Sequence, residues 1–270
     1  PDAPPVASAP AAASSAQDGR PIQSTGARIV AVTSGKGGVG KTFVSANLAA
    51  ALARRGHRVL VLDADLGLAN LDVVLNLYPK LTLHDVITGK AQLDEVVVPT
   101  PGGFSVVLAG SGMVEYSRLT PEVRNELLRV IEQLTPHYDV MLLDTGAGIS
   151  DVVLFSVSLA SEVLVVATPE PTSLTDAYAA IKVLAAQQDR QHIRLVVNQT
   201  ARPGDGRAIT SQLQQVLNRF VATGSGQPLR LIHMGIPGRL LVQHMPGSPA
   251  ALAVSQLAGK FESTLLPPAS

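Results

Sequence analysis

Residues 29–42 read IVAVTSGKGGVGKT, and the order of parts in this stretch decides the fold. Ile29, Val30, Val32 and Thr33 are β-branched, so 29–33 reads as a buried strand bounded by Ser34 and Gly35. From Lys41 the run KTFVSANLAAALARR over 41–55 reads as a helix that stops near Gly56. Between them, Gly35-Lys36-Gly37-Gly38-Val39-Gly40-Lys41-Thr42 fits GxxxxGK[ST], the pattern of a phosphate-binding loop. Glycines permit backbone angles and approaches that a Cβ forbids. The N–H groups of the loop and of the first helical turn, through Phe43, then converge on a β-phosphate with the helix dipole behind them. Lys41 reaches the β- and γ-phosphates, and the Thr42 hydroxyl is a ligand for Mg²⁺. Lys36 has no task in that chemistry. An ammonium is costly to bury unpaired, so the residues alone leave two readings: a solvated rim lysine, or a phosphate contact from an unusual direction.

Working outward, the 270 residues suffice for one large domain and not for two, and 46% apolar content suits a buried sheet. Equal numbers of basic and acidic residues, 21 each, argue against a strongly basic nucleic-acid surface and so against direct DNA binding. The absence of cysteine excludes disulfides, thiolate metal sites and cysteine-ligated iron–sulfur clusters. Fourteen of residues 1–16 are Ala, Pro or Ser, and the chain begins with proline, so a trimmed and disordered N-terminal segment is expected over 1–27. A single domain is expected over 28–262, with a short tail at 263–270. No targeting segment or spanning-length apolar run is apparent, which points to the cytoplasm.

Further strands are expected at 58–62, 104–109, 139–143, 162–167, 193–197 and 230–234. Helices are expected at 82–88, 121–135, 150–159, within 172–187, at 207–221 and within 239–262, with short helical turns over 66–77. Thr120-Pro121 is a helix start, and Ser173 with Asp176 has capping-box spacing. The Gly/Pro stretches 101–103 and 203–206 read as loop insertions. Alternation of apolar strands with helices makes this an α/β fold: a P-loop NTPase three-layer sandwich, with a mostly parallel sheet of seven or eight strands covered on both faces.

Ligand sites in such sheets open at the C-terminal ends of the strands. Asp144 closes the apolar run VMLL as the Mg²⁺-side aspartate of a nucleotide-hydrolysing site would. Asp63 and Asp65, two apart on an extended segment, face the same way. Asp65 is the better candidate to orient the attacking water and Asp63 to support the metal shell, although the two roles are exchangeable at this level. Asn198 ends a later strand and is either an adenine-edge reader or a turn residue, with Gly235-Ile236-Pro237 supplying backbone around the base.

GKGGVGKT resembles the deviant Walker A motif of the MinD/ParA class of P-loop ATPases. DADLGLANLDVVLNL (63–77), TLHDVITG (82–89), DTGAGIS (144–150), PEPTSLTDAYAAIKVL (169–184) and PGSPAALAVSQLA (246–258) resemble the flagellar-number regulators of that class, the FlhG/FleN group. The resemblance implies ATP and ADP as ligands with Mg²⁺, slow hydrolysis, and a homodimer with ATP that reverts to a monomer with ADP or when empty. It assigns Lys36 to phosphate bound by the partner subunit and Lys41 to phosphate in its own. It assigns Asp65 to water orientation and Asp144 to a γ-phosphate-sensing segment with Gly146, Ala147 and Gly148. It implies as partners an FlhF-like GTPase, flagellar basal-body switch components and a flagellar master transcription regulator, with peripheral, ATP-dependent membrane contact. The chain departs from that group in four places. No DQAxxLR-like activator segment is visible in residues 1–27. Gly146 stands where relatives commonly carry alanine, which should loosen that segment, and Gly238-Arg239 replaces an aromatic and an acidic residue. The end LAGKFESTLLPPAS carries one lysine and one glutamate, so 250–262 reads as a helix packed on the sheet in place of a membrane helix. A DNA-segregation ATPase of the ParA kind and a division-site ATPase of the MinD kind are the alternatives.

Overall fold

A computed structural model describes residues 26–66, 71–110, 118–202, 204–234, 258–259 and 262–263. Residues 1–25, the loop 235–237, most of 239–262 and the tail from 264 lie outside the described residues, and with them the expectations placed there.

The strands are β1 (Arg28–Ser34), β2 (Val59–Ala64), β3 (Val97–Pro99), β4 (Ser105–Val107), β5 (Val140–Ala147), β6 (Glu162–Ala167), β7 (His192–Val197) and β8 (Arg230–His233). They form one eight-stranded sheet in the order β3-β4-β2-β5-β1-β6-β7-β8. Every pairing is parallel except β3 with β4. The helices are α1 (Lys41–Ala53), α2 (Leu71–Leu75), α3 (Leu83–Ile87), α4 (Pro121–Leu134), α5 (Asp151–Ser158), α6 (Pro171–Gln188) and α7 (Asp205–Phe220).

The central strands are buried on both faces, which is why they read as unbroken apolar runs. Alternation then divides their side chains between two cores. Val30, Val32, Val59, Val61 and Leu142 pack with Leu48 and Leu52 of α1, and Ala258 joins this face. Ile29, Leu60, Leu62, Met141 and Leu143 pack with Leu127, Ile131, Ile181 and Leu217 from α4, α6 and α7 on the other. Glu262 accepts from Arg55 Nη1 at 2.8 Å and lies 3.1 Å from His57 Nε2, which seats the described C-terminal residues against the end of α1.

Three differences from the sequence reading have local causes. The eighth strand, β3, is three residues long and ends at Pro99 on the sheet edge, too short for a periodic signal. The stretch 101–103 is the turn of the β3–β4 hairpin, where Thr100 N–H donates to Phe104 O at 2.9 Å and Gly103 adopts φ +80°. Ser173 does not cap a helix: α6 starts two residues earlier at Pro171, and the buried Ser173 Oγ accepts from Thr168 N–H at 3.0 Å. The Thr120 cap holds, its side chain accepting from Val123 N–H with Pro121 in the first turn.

Leu142 is wholly buried between β1 and β2. Leu142→Ala should therefore cost about 2–5 kcal/mol in urea unfolding. Val73→Ala, at a residue 75% exposed on α2, should stay within about 0.5 kcal/mol of the parent.

Candidate functional site

The loop after β1 is built from anchored and open residues in turn. Gly35 passes beneath α6, where a Cβ would stand 2.1 Å from the Asp176 carbonyl oxygen. Val39 is buried in the α1-side core. Gly40 adopts φ +92°. Gly37 and Gly38 are exposed, and nothing lies within 4 Å of a Cβ built on either. The helix that follows has no side-chain cap hydrogen bond and no acidic residue in its first turn. Its first N–H groups therefore face an open glycine cradle with no side-chain acceptor of their own, which is the arrangement that takes up a phosphate.

The floor of the cradle is acidic. Parallel pairing of β2 with β5 sets Asp63 beside Asp144, both on the α1 face and both buried. β5 continues past Asp144 to Ala147, so this aspartate sits inside the strand and not at its end. Ser45 Oγ donates to Asp144 Oδ1 at 2.9 Å, and Thr42 hydrogen-bonds the same carboxylate. Burial pushes Asp144 up to about 6, against the pull of those two hydroxyls and of the Lys41 ammonium, while the charge of Asp65 adds to the rise. Burial also holds Asp63 well above the ordinary carboxylate range, with the Asp144 charge adding to it. Asp63 Oδ1 accepts from Asp65 N–H at 3.1 Å and the Leu71 backbone also hydrogen-bonds this carboxylate, while among the described residues the buried Oδ2 has no close partner. Burial lowers Lys41, and the Asp144 and Asp65 charges oppose that shift.

An unpartnered carboxylate oxygen beside a second buried carboxylate fits a cation. Among the described residues no group of three or more His, Cys, Asp or Glu side chains forms a metal cage. Mg²⁺ keeps several waters and takes phosphate oxygens with few protein ligands. The Thr42 hydroxyl and the Asp144 and Asp63 carboxylates are the groups placed to hold it.

Asp65 is half-buried, and its Oδ1 lies 3.3 Å from where a Cβ on Gly146 would stand. The missing methyl thus admits this carboxylate against the segment after Asp144. That segment is tied to β1: Thr145 Oγ1 donates to Val32 O at 3.1 Å, and Gly148 N–H to Ser34 O at 2.8 Å. These bonds span a break in the β1–β5 register between Val32 and Ser34. Lys36 leaves the loop along the surface, with Nζ 3.1 Å from Thr172 Oγ1 and 3.3 Å from Glu170 Oε2 at the start of α6. An ion pair this exposed contributes less than about 1 kcal/mol, so it is a weak tether. Phe43 is half-buried against the α1-side core. Asn198 is buried beside the loop, and its carboxamide is engaged with Val39 O and Gln199 N–H. Gly235, Ile236 and Pro237 lie outside the described residues.

Ser45 was missed from sequence. The available signal is its place three residues after Thr42 in a helix, which puts both hydroxyls on one face.

A family model described as an AAA domain matches residues 27–197. The chain is 41% identical over 252 residues to the antiactivator FleN of Pseudomonas aeruginosa, covering 89% of this chain and 88% of that protein. It is 31% identical over 245 residues to the flagellum site-determining protein YlxH of Helicobacter pylori, covering 88% and 83%. A solved structure of the septum site-determining protein MinD of Pyrococcus horikoshii with Mg-ADP superposes with a TM-score of 0.67 at 26% identity, covering 90% of this chain and all of that one.

Gly37→Ala adds a methyl to open space, so the nucleotide-free protein should keep its stability within about 0.5 kcal/mol while ADP affinity falls at least about tenfold. Gly35→Ala drives a methyl into the α6 backbone and should cost about 1–3 kcal/mol in the nucleotide-free protein. Thermal unfolding and ADP titration of both variants check the contrast, and equal destabilisation would remove the division into anchored and open glycines.

Proposed function

This chain belongs to the MinD/ParA family of deviant Walker A P-loop ATPases, and we propose that it works as a dimerisation switch whose on-state is a pair of subunits closed over ATP. Family membership makes it an ATP-hydrolysing enzyme that binds Mg-ATP and Mg-ADP, within a family of positioning and partition ATPases whose ATP-dependent assembly is a homodimer. The observation that carries the switch reading is the unequal placing of the two lysines. Lys41 is largely buried beside Asp144, whereas Lys36 lies on the rim and points to α6. A lysine directed to α6 and held only by an exposed ion pair and one hydroxyl is available to be recruited by an anion on a facing copy.

In this reading the α1 N-terminus and Lys41 bind the β- and γ-phosphates, and the partner's phosphate replaces Glu170 as the counter-ion of Lys36. Asp65 orients a water in line with the bond to be broken. The water oxygen attacks the γ-phosphorus, the bond to the bridging oxygen breaks with its electrons leaving on ADP, and inorganic phosphate forms, keeping one proton of the water while the other passes to solvent. Thr42, Asp63 and Asp144 would hold Mg²⁺, which would supply charge neutralisation for the phosphates. Ser45 and Thr42 keep the Asp144 carboxylate in place from the first turns of α1. The segment Thr145–Gly148, bonded to β1 next to the loop, is the element positioned to register the γ-phosphate.

Two finer readings share this chemistry. A role in setting flagellar number and placement is supported by the 41% identity to an antiactivator FleN over most of both chains. With it would come an FlhF-like GTPase, basal-body switch components and a master transcription regulator as partners. A role in placing a division site is supported by the whole-chain structural likeness to a septum site-determining protein, to which DNA segregation is a further alternative. Among the described residues no helix is long and apolar enough to cross a membrane.

Asp65→Ala should bind Mg-ATP, lose at least about a hundredfold in turnover and accumulate as a dimer on sizing. Unchanged turnover would remove its assigned role. Lys36→Ala should stay monomeric with ATP while keeping ADP affinity within about threefold, because its task lies in the other subunit. Capture of partners from the source cell by the ATP-loaded Asp65→Ala protein separates the finer readings, by whether flagellar or division proteins are retained.

A further inference from the structure

The buried carboxamide of Asn198 meets the phosphate loop at the Val39–Gly40 peptide. The backbone at Asn198 is locked to β6, its N–H donating to Ala167 O at 2.7 Å. Its Nδ2 donates to the Val39 carbonyl at 2.9 Å across 159 residues of sequence, and its Oδ1 accepts from Gln199 N–H at 2.9 Å. These two bonds fix which end of the amide is oxygen, since exchanging the ends would set oxygen against a carbonyl and N–H against N–H. Gln199 is held at φ +59°, a left-handed conformation uncommon for a residue with a side chain. A Cβ on Gly40 would stand 2.5 Å from Nδ2, so the approach exists only because position 40 is glycine.

The Val39–Gly40 peptide lies between a buried side chain and a glycine at φ +92°, a backbone conformation that glycine adopts without the penalty a Cβ would bring. In a trans peptide the carbonyl and the next N–H point in opposite directions. Holding the Val39 carbonyl on Asn198 therefore aims the Gly40 N–H away from Asn198 and opposes a flip of that peptide. We propose that Asn198 is a positioning residue of the phosphate loop, a clamp that holds the Val39–Gly40 peptide in its phosphate-binding orientation from the end of β7. The clamp rests on the nucleotide-binding reading of the site, and it assigns to phosphate affinity a side chain whose sequence position suggested base recognition.

Pyrophosphate separates the two roles, because it occupies a phosphate loop and carries no base. Asn198→Ala removes both hydrogen bonds. Asn198→Leu removes them while filling the same space without adding charge, and it carries the test if the alanine variant does not fold. With the full chain and Mg²⁺ present, both variants should bind ADP and pyrophosphate about tenfold more weakly, by a common factor. The preference for ADP over GDP should be unchanged, and turnover should lose chiefly through KM. Weaker ADP binding with pyrophosphate unaffected, or loss of the ADP preference, would make Asn198 a base reader and overturn the clamp. A lower melting temperature with both affinities intact would reduce it to a structural contact and overturn it equally. A parent protein that bound neither ligand would remove the nucleotide reading and the clamp together, an outcome distinct from any difference between variants.

Discussion

Two carboxylates and an ammonium share a space from which water is largely excluded, and the site is arranged around the cost of keeping them there. Asp63 and Asp144 are neighbours because β2 and β5 run parallel in one register. Burial raises both, and Lys41 with the hydroxyls of Thr42 and Ser45 offsets part of that rise for Asp144. Among the described residues, one oxygen of Asp63 is left without a close hydrogen-bond partner. Such a cluster is poorly satisfied by protein alone and suits a cation with an anionic ligand above it. The open glycines and the uncapped α1 provide the place for that anion.

The phosphate loop belongs to the first half of the chain, yet its shape is decided by the second. Gly35 is set by the backbone of α6, Gly40 by the side chain of Asn198, and Lys36 by Glu170 and Thr172. The segment after Asp144 is bonded to β1 immediately before the loop. β5, the end of β7 and the start of α6 thus each touch the loop or its flanking strand directly.

Much of this was legible in residue order. Seven of the eight strands and the helices among the described residues follow from apolar runs and their punctuation, because a sheet buried on both faces leaves little ambiguity of period. Lys41, Thr42, Asp63, Asp65 and Asp144 lie close together, with Asp144 inside β5 and not at a strand end. What escaped was short or cooperative. β3 has three residues and a terminal proline, so only its partner β4 makes it a strand. Ser173 had the spacing of a cap, but Pro171 starts the helix earlier and the freed hydroxyl serves Thr168 instead. Asp144 looked like a strand end because the glycines after it imitate a loop, whereas pairing of Ala147 with Ser34 draws β5 onward.

The sequence by itself determined the α/β class, the phosphate-loop motif and the acidic residues that lie beside it. Those depend on local composition and spacing, which a linear pattern carries. Tertiary structure alone decided where Lys36 points, which hydroxyls hold Asp144 and what Asn198 grips. Each of these is a contact between segments up to 159 residues apart, and its existence depends on the close approach of two packed elements, which no local pattern encodes.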